Sequence, residues 1–415
     1  MISDRPVVTG MGCLSAGGAG LESAWASMMA GVVSCGPPSR FQAAPALQSP
    51  IFEVSAGAWA RSLIVPEAEL PRTLCVEFFL SALDEALAMA GLGVDSLRGR
   101  RIGVSVGTTV GCTLNDEDFY RAFKKGAEPD LAAIRRFLDH NPAPYVSRSL
   151  DLRGPVSTIN NACASGTDAV GQALEWIEEG LCEIVIAGGT DEVSRIPYLG
   201  FSSLLNTSGR PCRPFDAGRD GLNLGEGAGV LIIEARASAE RRGVRPVARL
   251  GGYGCSADAH HMTAPHPGGA GLERALRQAL NGRDPADISF VNAHGTATVL
   301  NDAIEGTTLA RLFGSGVRVV GTKGYTGHAL GAAGALEAVF TVQGLRTGTL
   351  PATAGFRDAD PACAVIPTRE ATVRMDWLTA CARTAGPSPP NRGRMLTLSS
   401  PAAAGSFAPT RPAHG

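Results

Sequence analysis

One cysteine stands where a side chain could act as a nucleophile. The segment 160–171 (NNACASGTDAVG) places Cys163 between a predicted strand and the first turn of a predicted helix, among small residues that leave room for a substrate. Unpaired N–H groups and the macrodipole at a helix N-terminus favour a thiolate over a thiol. The same N–H groups can bind a developing oxyanion. Cys163 is therefore a candidate nucleophile, and the alternative is a small buried cysteine at a crowded helix start.

Two of the seven histidines lie in comparable surroundings. His294 follows a predicted strand at 288–291, and His328 precedes a Gly/Ala-rich predicted helix at 329–345, each beside glycines. A cysteine and two histidines at such junctions indicate nucleophilic acyl chemistry, although each histidine could also be a hydrogen-bonded core residue. A zinc site is disfavoured because the ten cysteines form no CxxC pair and no fourth ligand is evident.

Alternating strand and helix patterns must position these side chains. The period of residues 76–91 predicts an amphipathic helix that ends at Gly91. The strand-to-helix junction around Cys163 is similar to the one around His328, which predicts a duplicated α/β fold with one site where its halves meet. Apolar runs predict strands at 7–10, 101–107, 183–189 and 229–234.

Composition restricts the class of protein. The 415 residues are 44% hydrophobic and 18% charged, and 37 Lys and Arg against 39 Asp and Glu give a net charge of −2. Such a chain is not built to coat nucleic acid or an anionic membrane. No apolar run is long enough to cross a membrane and no secretory signal is evident, so we expect a cytoplasmic protein. The GxGxxG and phosphate-loop patterns are incomplete, which disfavours a nucleotide enzyme.

Several motifs occur together in the order found in one enzyme family. They are NACASGT at 161–167, RPFDAGRDGLNLGEGAG at 213–229, NAHGTAT at 292–298 and TKGYTGH at 322–328. With them the chain resembles β-ketoacyl-[acyl-carrier-protein] synthases, in particular the type II elongating enzymes of the thiolase superfamily. The resemblance implies an α/β, thiolase-like duplicated fold, layered αβαβα with two mixed five-stranded sheets. It also implies an N-terminal half over 1–250 with the nucleophile and a C-terminal half over 251–386 with the histidines.

The resemblance assigns the candidate residues to a two-step reaction. Cys163 matches the nucleophile that receives an acyl group from acyl carrier protein as a thioester. His294 and His328 match the imidazole pair that stabilises the enolate formed when malonyl carrier protein loses CO₂. Lys323 matches a catalytic-site lysine that supports the environment of the second histidine. As an alternative, Lys323 forms only a structural salt bridge, with Glu305 or Glu337.

The resemblance also implies binding residues and partners. Thr296 and Thr298 match threonines that hydrogen-bond the pantetheine arm, and Asp302 and Glu305 are expected to brace the site. No metal or cofactor is implied, and the partner is acyl carrier protein with its phosphopantetheine-linked acyl and malonyl groups. We expect a homodimer, with neither nucleic acid nor membrane as a partner. Because carrier proteins are acidic, a basic docking patch has five candidates: Arg121, Lys124, Lys125, Arg135 and Arg136.

The C-terminal segment departs from the family. Members carry a Gly-Phe-Gly-Gly loop before a final strand, and a backbone N–H of that loop completes the oxyanion hole. Residues 387–415 contain no such motif and have no convincing strand or helix period, so we expect a divergent, poorly ordered tail. The leading interpretation is an active synthase in fatty-acid or polyketide biosynthesis. The alternative is a catalytically impaired homologue or partner subunit, while the histidine pair disfavours a degradative thiolase.

Overall fold

Helices and strands alternate along most of the chain. The computed structural model describes residues 5–43, 48–57, 59, 62, 65, 71–261 and 264–372, and the backbone of 394–398. The strands are β1 (Val7–Ser15), β2 (Gly18–Ala19), β3 (Ile102–Gly107), β4 (Val156–Ile159), β5 (Ile184–Asp191), β6 (Gly227–Glu234), β7 (Ala248–Gly254), β8 (Phe290–Asn292), β9 (Arg318–Val320) and β10 (Arg394–Leu398). In these residues no helix is long and apolar enough to span a bilayer.

The helices confirm most of the predicted periodicity. They are α1 (Leu21–Met29), α2 (Leu74–Met89), α3 (Thr113–Lys124), α4 (Ala132–Asp139), α5 (Pro142–Ser149), α6 (Ser165–Glu178), α7 (Arg195–Ser203), α8 (Arg236–Arg241), α9 (Ala270–Leu280), α10 (Val299–Phe313), α11 (Lys323–Thr326) and α12 (Ala333–Thr347). Short 3₁₀ helices cover Val94–Ser96, Pro285–Asp287, Leu330–Ala332 and Pro361–Cys363. The helix predicted at 76–91 is α2, shifted by two residues, and the predicted strands are present as β1, β3, β5 and β6.

The predicted number of strands in each sheet is wrong for the described residues. They form a mixed sheet of eight strands, in the order β10-β7-β1-β6-β5-β3-β4 with β2 beside β1, and a separate parallel pair, β8 and β9. The physical reason is the pairing of Val7 and Val8 of β1 with β7, which joins strands of both halves into one sheet. The sheets are mixed, as predicted, because β5 is parallel to β3 and antiparallel to β6.

Helices cover both faces of the large sheet, and the result is five layers. Strand β5 shows why: Ile184 and Ile186 pack in the core with α2 and α5, whereas Val185 and Ala187 pack on the opposite face with α6 and α12. Such continuous apolar runs are typical of strands buried on both faces. The β8–β9 pair lies between α12 on one side and α9 and α10 on the other. This order confirms the predicted αβαβα layering.

Two glycines bring the N-terminus of α6 close to its neighbours. A Cβ atom on Gly166 would lie 2.6 Å from the Gly331 carbonyl oxygen, in the 3₁₀ helix that follows His328. A Cβ atom on Gly107 would lie 2.2 Å from the Ser165 carbonyl carbon. Real Cβ atoms do not approach so closely, so only glycine fits at these positions. The end of β3, the start of α6 and the segment after His328 therefore meet at one point.

Candidate active site

A strained turn presents Cys163. Between β4 and α6 the residue before the cysteine, Ala162, has φ +47°, an unusual conformation for a residue other than glycine. The Ala162 carbonyl accepts hydrogen bonds from Ser165 Oγ at 2.6 Å and Thr109 Oγ1 at 2.8 Å. The Asn161 N–H donates to Ser165 Oγ at 2.8 Å. These contacts hold the turn in place and leave the Cys163 side chain only half-buried.

His294 is held from its backbone and from its ring. The N–H groups of His294 and Gly295, directly after β8, donate to the carboxylate of Glu305 on α10 at 2.7 and 2.8 Å. The ring atom Nδ1 lies 3.1 Å from Lys323 Nζ. Because an ammonium group can only donate, Nδ1 accepts this hydrogen bond and the ring proton is on Nε2. Glu305 is therefore a brace, as predicted, and burial raises its pKa to about 7.

His328 is buried and oriented in the same way. Its N–H donates to the Asn223 carbonyl at 2.8 Å, and its carbonyl accepts from the Gly225 N–H at 3.0 Å. The ring atom Nδ1 accepts a hydrogen bond from the Leu330 N–H at 3.1 Å. This bond again places the ring proton on Nε2. The tautomer of the second histidine is thus set by its own backbone two residues later.

The three candidate side chains converge as the sequence suggested. The Cys163 sulfur and one ring nitrogen each of His294 and His328 all lie within 4.8 Å of one another. The two imidazole rings are perpendicular, with centroids 5.3 Å apart. The cysteine comes from the first half of the chain and both histidines come from the second. One acyl group on the sulfur would therefore be within reach of both imidazoles.

Lys323 is fully buried and contacts the first histidine. Its ammonium group donates to His294 Nδ1 and forms an ion pair with Glu337 of α12. The direct contact is with His294, since the Leu330 N–H occupies the His328 Nδ1, while the Lys323 charge also lowers the pKa of His328 and so acts on the environment of the second histidine. Of the two salt-bridge partners considered, the structure has Glu337. The same lysine thus makes a salt bridge and touches an active-site imidazole.

Burial sets the protonation states of the site. Burial lowers the pKa of His328 to about 3 and that of His294 well below its ordinary value, and the Lys323 charge adds to both shifts. Both imidazoles are therefore neutral at pH 7. Burial also raises the pKa of Cys163 to about 11, against the opposing effects of Lys323 and of its own N–H. The thiolate expected from the helix N-terminus is thus not the resting form, because burial outweighs these effects.

The Cys-His-His cluster has the separations of a partial metal site, but its hydrogen bonds oppose a cation. A metal ion needs a lone pair on each ligating nitrogen. In His294 and His328 the Nδ1 lone pairs are already used by Lys323 and the Leu330 N–H, and the Nε2 atoms carry protons. The buried Lys323 charge also repels a cation. These groups instead suit a substrate oxygen that accepts hydrogen bonds.

Comparisons with known proteins identify the family. The model of the β-ketoacyl synthase N-terminal domain matches residues 4–239, and that of the C-terminal domain matches residues 247–357. The chain is 33% identical, over 86% of its length and 89% of the relative, to 3-oxoacyl-[acyl-carrier-protein] synthase 2 of Synechocystis sp.. It is 32% identical, with the same coverage, to the tetracenomycin polyketide synthase ketoacyl synthase alpha subunit of Streptomyces glaucescens. The chain belongs to the β-ketoacyl synthase family.

Solved structures of ketosynthases have the same fold. The ishigamide ketosynthase/chain length factor superposes with a TM-score of 0.82 at 33% identity, over 89% of this chain and 93% of that one. A β-ketoacyl synthase from Burkholderia phymatum gives 0.80 at 32% identity, over 90% and 94%. A type II polyketide ketosynthase in complex with its acyl carrier protein gives 0.79 at 27% identity, over 89% and 93%. The predicted thiolase-like fold is confirmed.

The two candidate pantetheine-binding residues of this β-ketoacyl synthase lie on one turn after His294. The hydroxyl oxygens of Thr296 and Thr298 are 2.9 Å apart. Between them Ala297 has φ +64°, and its N–H donates to both carboxylate oxygens of Asp302 at 3.1 Å. Asp302 also accepts from the Phe215 N–H at 2.7 Å, as a bracing residue should. The contact of the two threonines with pantetheine stays a prediction.

Asp191 is a bracing residue that sequence reasoning missed. Its buried carboxylate, at the end of β5, accepts hydrogen bonds from Thr108 Oγ1 and from three successive N–H groups of residues 109–111. It also accepts from the Gly331 N–H at 2.6 Å, so it ties the segment after His328 to the end of β3. For Glu337, the sequence indicates only a possible salt bridge with Lys323, which the structure contains. The available signal for Asp191 was an acidic residue at the end of an apolar strand.

The C-terminal segment contains one element that its composition did not predict. Residues 394–398 form β10, parallel to β7, within the segment 387–415 that was expected to lack a strand. Backbone pairing with an existing strand edge does not require an amphipathic pattern, which explains why periodicity missed it. The other residues of that segment lie outside the described part of the chain. The family's Gly-Phe-Gly-Gly motif is absent from the sequence.

Proposed function

We propose that this β-ketoacyl synthase is a 3-oxoacyl-[acyl-carrier-protein] synthase that extends an acyl chain by two carbons, in fatty-acid or polyketide biosynthesis. The observation that carries the proposal is the convergence of Cys163 with two neutral imidazoles that both hold their proton on Nε2. A nucleophile and two hydrogen-bond donors at one point are what acyl transfer followed by enolate formation requires.

The first step is acyl transfer to Cys163. The sulfur attacks the thioester carbonyl carbon of acyl carrier protein, the C–S bond to pantetheine breaks, and the thiol proton of Cys163 ends on the departing pantetheine sulfur. Because the pKa of Cys163 is raised to about 11, this proton leaves only as the reaction proceeds. The neutral imidazoles fit this step, because they add no positive charge near the sulfur beyond that of the Lys323 ammonium group.

The second step is decarboxylative condensation. The malonyl carboxylate leaves as CO₂, and its bonding electrons form an enolate whose oxygen accepts hydrogen bonds from Nε2–H of His294 and His328. The enolate carbon then attacks the acyl-Cys163 carbonyl, and the C–S bond breaks to release the 3-oxoacyl chain on the carrier, while the Cys163 sulfur leaves as a thiolate and takes up a proton from water to restore the thiol. We propose that Lys323 acts catalytically by fixing the His294 tautomer, and that Thr296 and Thr298 bind pantetheine. No metal or cofactor enters either step.

The proposed partner is acyl carrier protein, and the proposed assembly is a homodimer. Of the basic candidates on α3 and α4, Arg121 pairs with Glu117 and Asp118, and Arg136 bonds Asn115. The exposed side chains that stay available for an acidic carrier are Lys124, Lys125 and Arg135. The two halves of the duplicated fold are proposed at residues 1–250 and 251–386. A cytoplasmic location is likewise a prediction, and cell fractionation tests it.

Intact-protein mass spectrometry tests the function. We expect wild type incubated with acyl-[acyl-carrier-protein] to gain one acyl mass, and Cys163→Ala to gain none. Both proteins should show the same melting temperature, so that the loss is not a loss of fold. A folded wild type without an adduct would refute the proposal and favour the impaired or partner-subunit alternative, which the retention of Cys163, His294 and His328 otherwise argues against.

A further inference from the structure

A buried carboxylate on α6 accepts two short hydrogen bonds that the proposed chemistry does not use. Asp168 lies in the first turn of the helix and is 8% exposed. One of its oxygens accepts from the Asn161 side-chain amide and the other from the Tyr253 hydroxyl, both at 2.6 Å. The helix N-terminus stabilises a negative charge at this position. Asp168 therefore connects two segments that are far apart in sequence.

One end of this connection is the turn that carries the nucleophile. Asn161 lies two residues before Cys163, and its carbonyl accepts from the Ala164 N–H at 3.1 Å while its own N–H donates to Ser165 Oγ at 2.8 Å. These bonds flank Ala162, whose positive φ must be maintained by its surroundings. The Asp168–Asn161 bond fixes the side chain of the residue at the start of this strained turn.

The other end is Tyr253 on β7. Its ring lies against Gly171 of α6, where an added Cβ would be 2.4 Å from the ring atoms. The ring is therefore pressed onto the helix one turn beyond Asp168, and its hydroxyl has little freedom to leave the carboxylate. Tyr253 pairs with Thr397 of the edge strand β10, and the start of β7 pairs with β1, so Tyr253 is anchored in the large sheet next to its β10 edge.

We propose that Asp168 and Tyr253 are positioning residues for the nucleophile: the chain Tyr253–Asp168–Asn161 fixes the turn that aims Cys163 at the incoming thioester. The role rests on the proposed function, in which Cys163 receives the acyl group. It concerns the first step only, since none of the three residues contacts His294, His328 or Lys323 through a hydrogen bond among the described residues. The two half-reactions should therefore respond differently when this chain is broken.

The test compares Tyr253→Phe and Asp168→Asn with wild type. The first keeps the ring on Gly171 and removes only the donor, and the second keeps the size of the side chain but replaces one acceptor by a donor. We monitor acyl transfer to Cys163 by mass spectrometry and expect its rate to fall about tenfold in each variant. CO₂ release from malonyl-[acyl-carrier-protein] should stay within about twofold of wild type. The double variant should be little slower than either single one, because both break the same chain.

A matched control is Tyr145→Phe, in a helix that does not carry the nucleophile. This substitution also removes a tyrosine hydroxyl with a hydrogen-bond partner, because that hydroxyl accepts from the Arg72 Nε–H at 2.7 Å. It should leave acyl transfer unchanged. Wild-type acyl transfer in Tyr253→Phe, or an equal loss of both half-reactions with a lower melting temperature, would overturn the positioning role.

Alkylation separates this proposal from the proposed function. If wild type accepts no acyl group, the proposed function fails. The rate at which iodoacetamide alkylates Cys163, measured on the peptide that contains it, then decides the positioning role. A change of about threefold or more in Tyr253→Phe, with no change in Tyr145→Phe, supports it. Equal rates in wild type and Tyr253→Phe overturn it.

Discussion

Both active-site imidazoles have their tautomer fixed by groups outside the reaction. Nδ1 of His294 accepts from the Lys323 ammonium, and Nδ1 of His328 accepts from the Leu330 N–H. These two hydrogen bonds differ in kind, because the first comes from a buried charged side chain and the second from the backbone. A side-chain substitution can remove the first hydrogen bond but not the second. The two histidines should therefore differ in how easily they are disabled.

Removing the Lys323 charge should impair condensation more than acyl transfer. In Lys323→Met the His294 ring loses the donor that keeps its proton on Nε2, so we expect CO₂ release from malonyl carrier protein to fall about 10²-fold. Breaking a buried ion pair costs about 3–5 kcal/mol of stability, because the partner charge is left unpaired. The double variant Lys323→Met/Glu337→Gln, which removes both charges, is therefore measured beside the single one. Glu337→Gln alone, which keeps the lysine, is the control. Equal losses in both half-reactions would contradict this role.

The protonation of Cys163 can be read from its reactivity. With a pKa raised to about 11 by burial, the thiol should react with iodoacetamide about tenfold faster for each pH unit between 7 and 9. The rate is measured on the Cys163 peptide, with the exposed Cys255 as an internal comparison. A rate that levels off below pH 8 would show that the helix N-terminus outweighs burial after all.

Sequence reasoning found the candidate side chains that converge at the site, but not the groups that support them. Cys163, His294, His328 and Lys323 stand in short motifs, where residue type and local context carry the signal. Asp191 stands in no such motif: its only local signal is an acidic residue at the end of an apolar strand, and its partners at 108–111 and 331 are distant in sequence and meet it only after the layers have packed. The contact of Lys323 with His294 was missed for the same reason, since it depends on the direction in which α11 leaves β9.

At the scale of elements, the site depends on how closely α6 approaches the segment after His328. The contact of Gly166 with the Gly331 carbonyl leaves no room for a methyl group, and the neighbouring Gly107 meets the start of α6 in the same way. The helix start that carries Cys163 and the 3₁₀ helix that orients His328 are therefore in direct backbone contact. A small change in this packing moves the sulfur relative to the imidazole.

Gly166→Ala should destabilise the protein and slow its reaction. The added Cβ would lie 2.6 Å from the Gly331 oxygen, and such overpacking costs about 1–3 kcal/mol. Chemical unfolding measures the loss, and acyl transfer should slow in the folded variant. Gly200→Ala, in α7, where the new Cβ would meet no atom within 4 Å beyond its neighbouring residues and its own helix backbone, is the control and should be neutral or slightly stabilising. Equal stabilities of the two variants would show that α6 can shift freely.

The elements themselves followed from periodicity, whereas their distribution between sheets did not. The apolar run of β5 and the apolar face of α2 are local properties of the sequence. The two-residue pairing of β1 with β7 is not, because it depends on where the second half comes to rest against the first. The five-stranded sheets expected from the family were wrong for this reason, although the order of the layers was right.

At the scale of the whole molecule, buried carboxylates make stability depend on pH in an unusual direction. Burial raises the pKa of Asp191 to about 6, of Glu305 to about 7 and of Glu192 to about 8. A carboxyl group whose pKa is higher in the folded than in the unfolded state holds its proton more tightly when folded. Its contribution is most favourable at low pH and is lost as the pH rises from about 4 through the folded pKa.

The melting temperature should accordingly be lower at pH 8.5 than at pH 7, and Glu192→Gln should reduce the difference; pH 7 is the lower value because the opposing effect of the lowered pKa values of His294 and His328 is largely complete there. The glutamine keeps the oxygen that accepts from the Leu114 N–H at 3.0 Å and removes the buried charge. Glu175→Gln, at an exposed position on α6, is the control and should melt like wild type at both values. An unchanged difference in Glu192→Gln would assign the pH dependence to other groups.

The order of the two halves along the chain has a consequence for the protein while it is being made. Cys163 and α6 leave the ribosome before β8, and His328 follows only after 164 further residues. At about 5–20 residues per second, the growing chain carries its thiol for roughly 8–30 s before the second histidine exists. In the mechanism proposed above, a nascent chain therefore cannot yet release CO₂ from malonyl carrier protein. On that mechanism, decarboxylation begins only when synthesis of the second half has brought Lys323 and both imidazoles to Cys163.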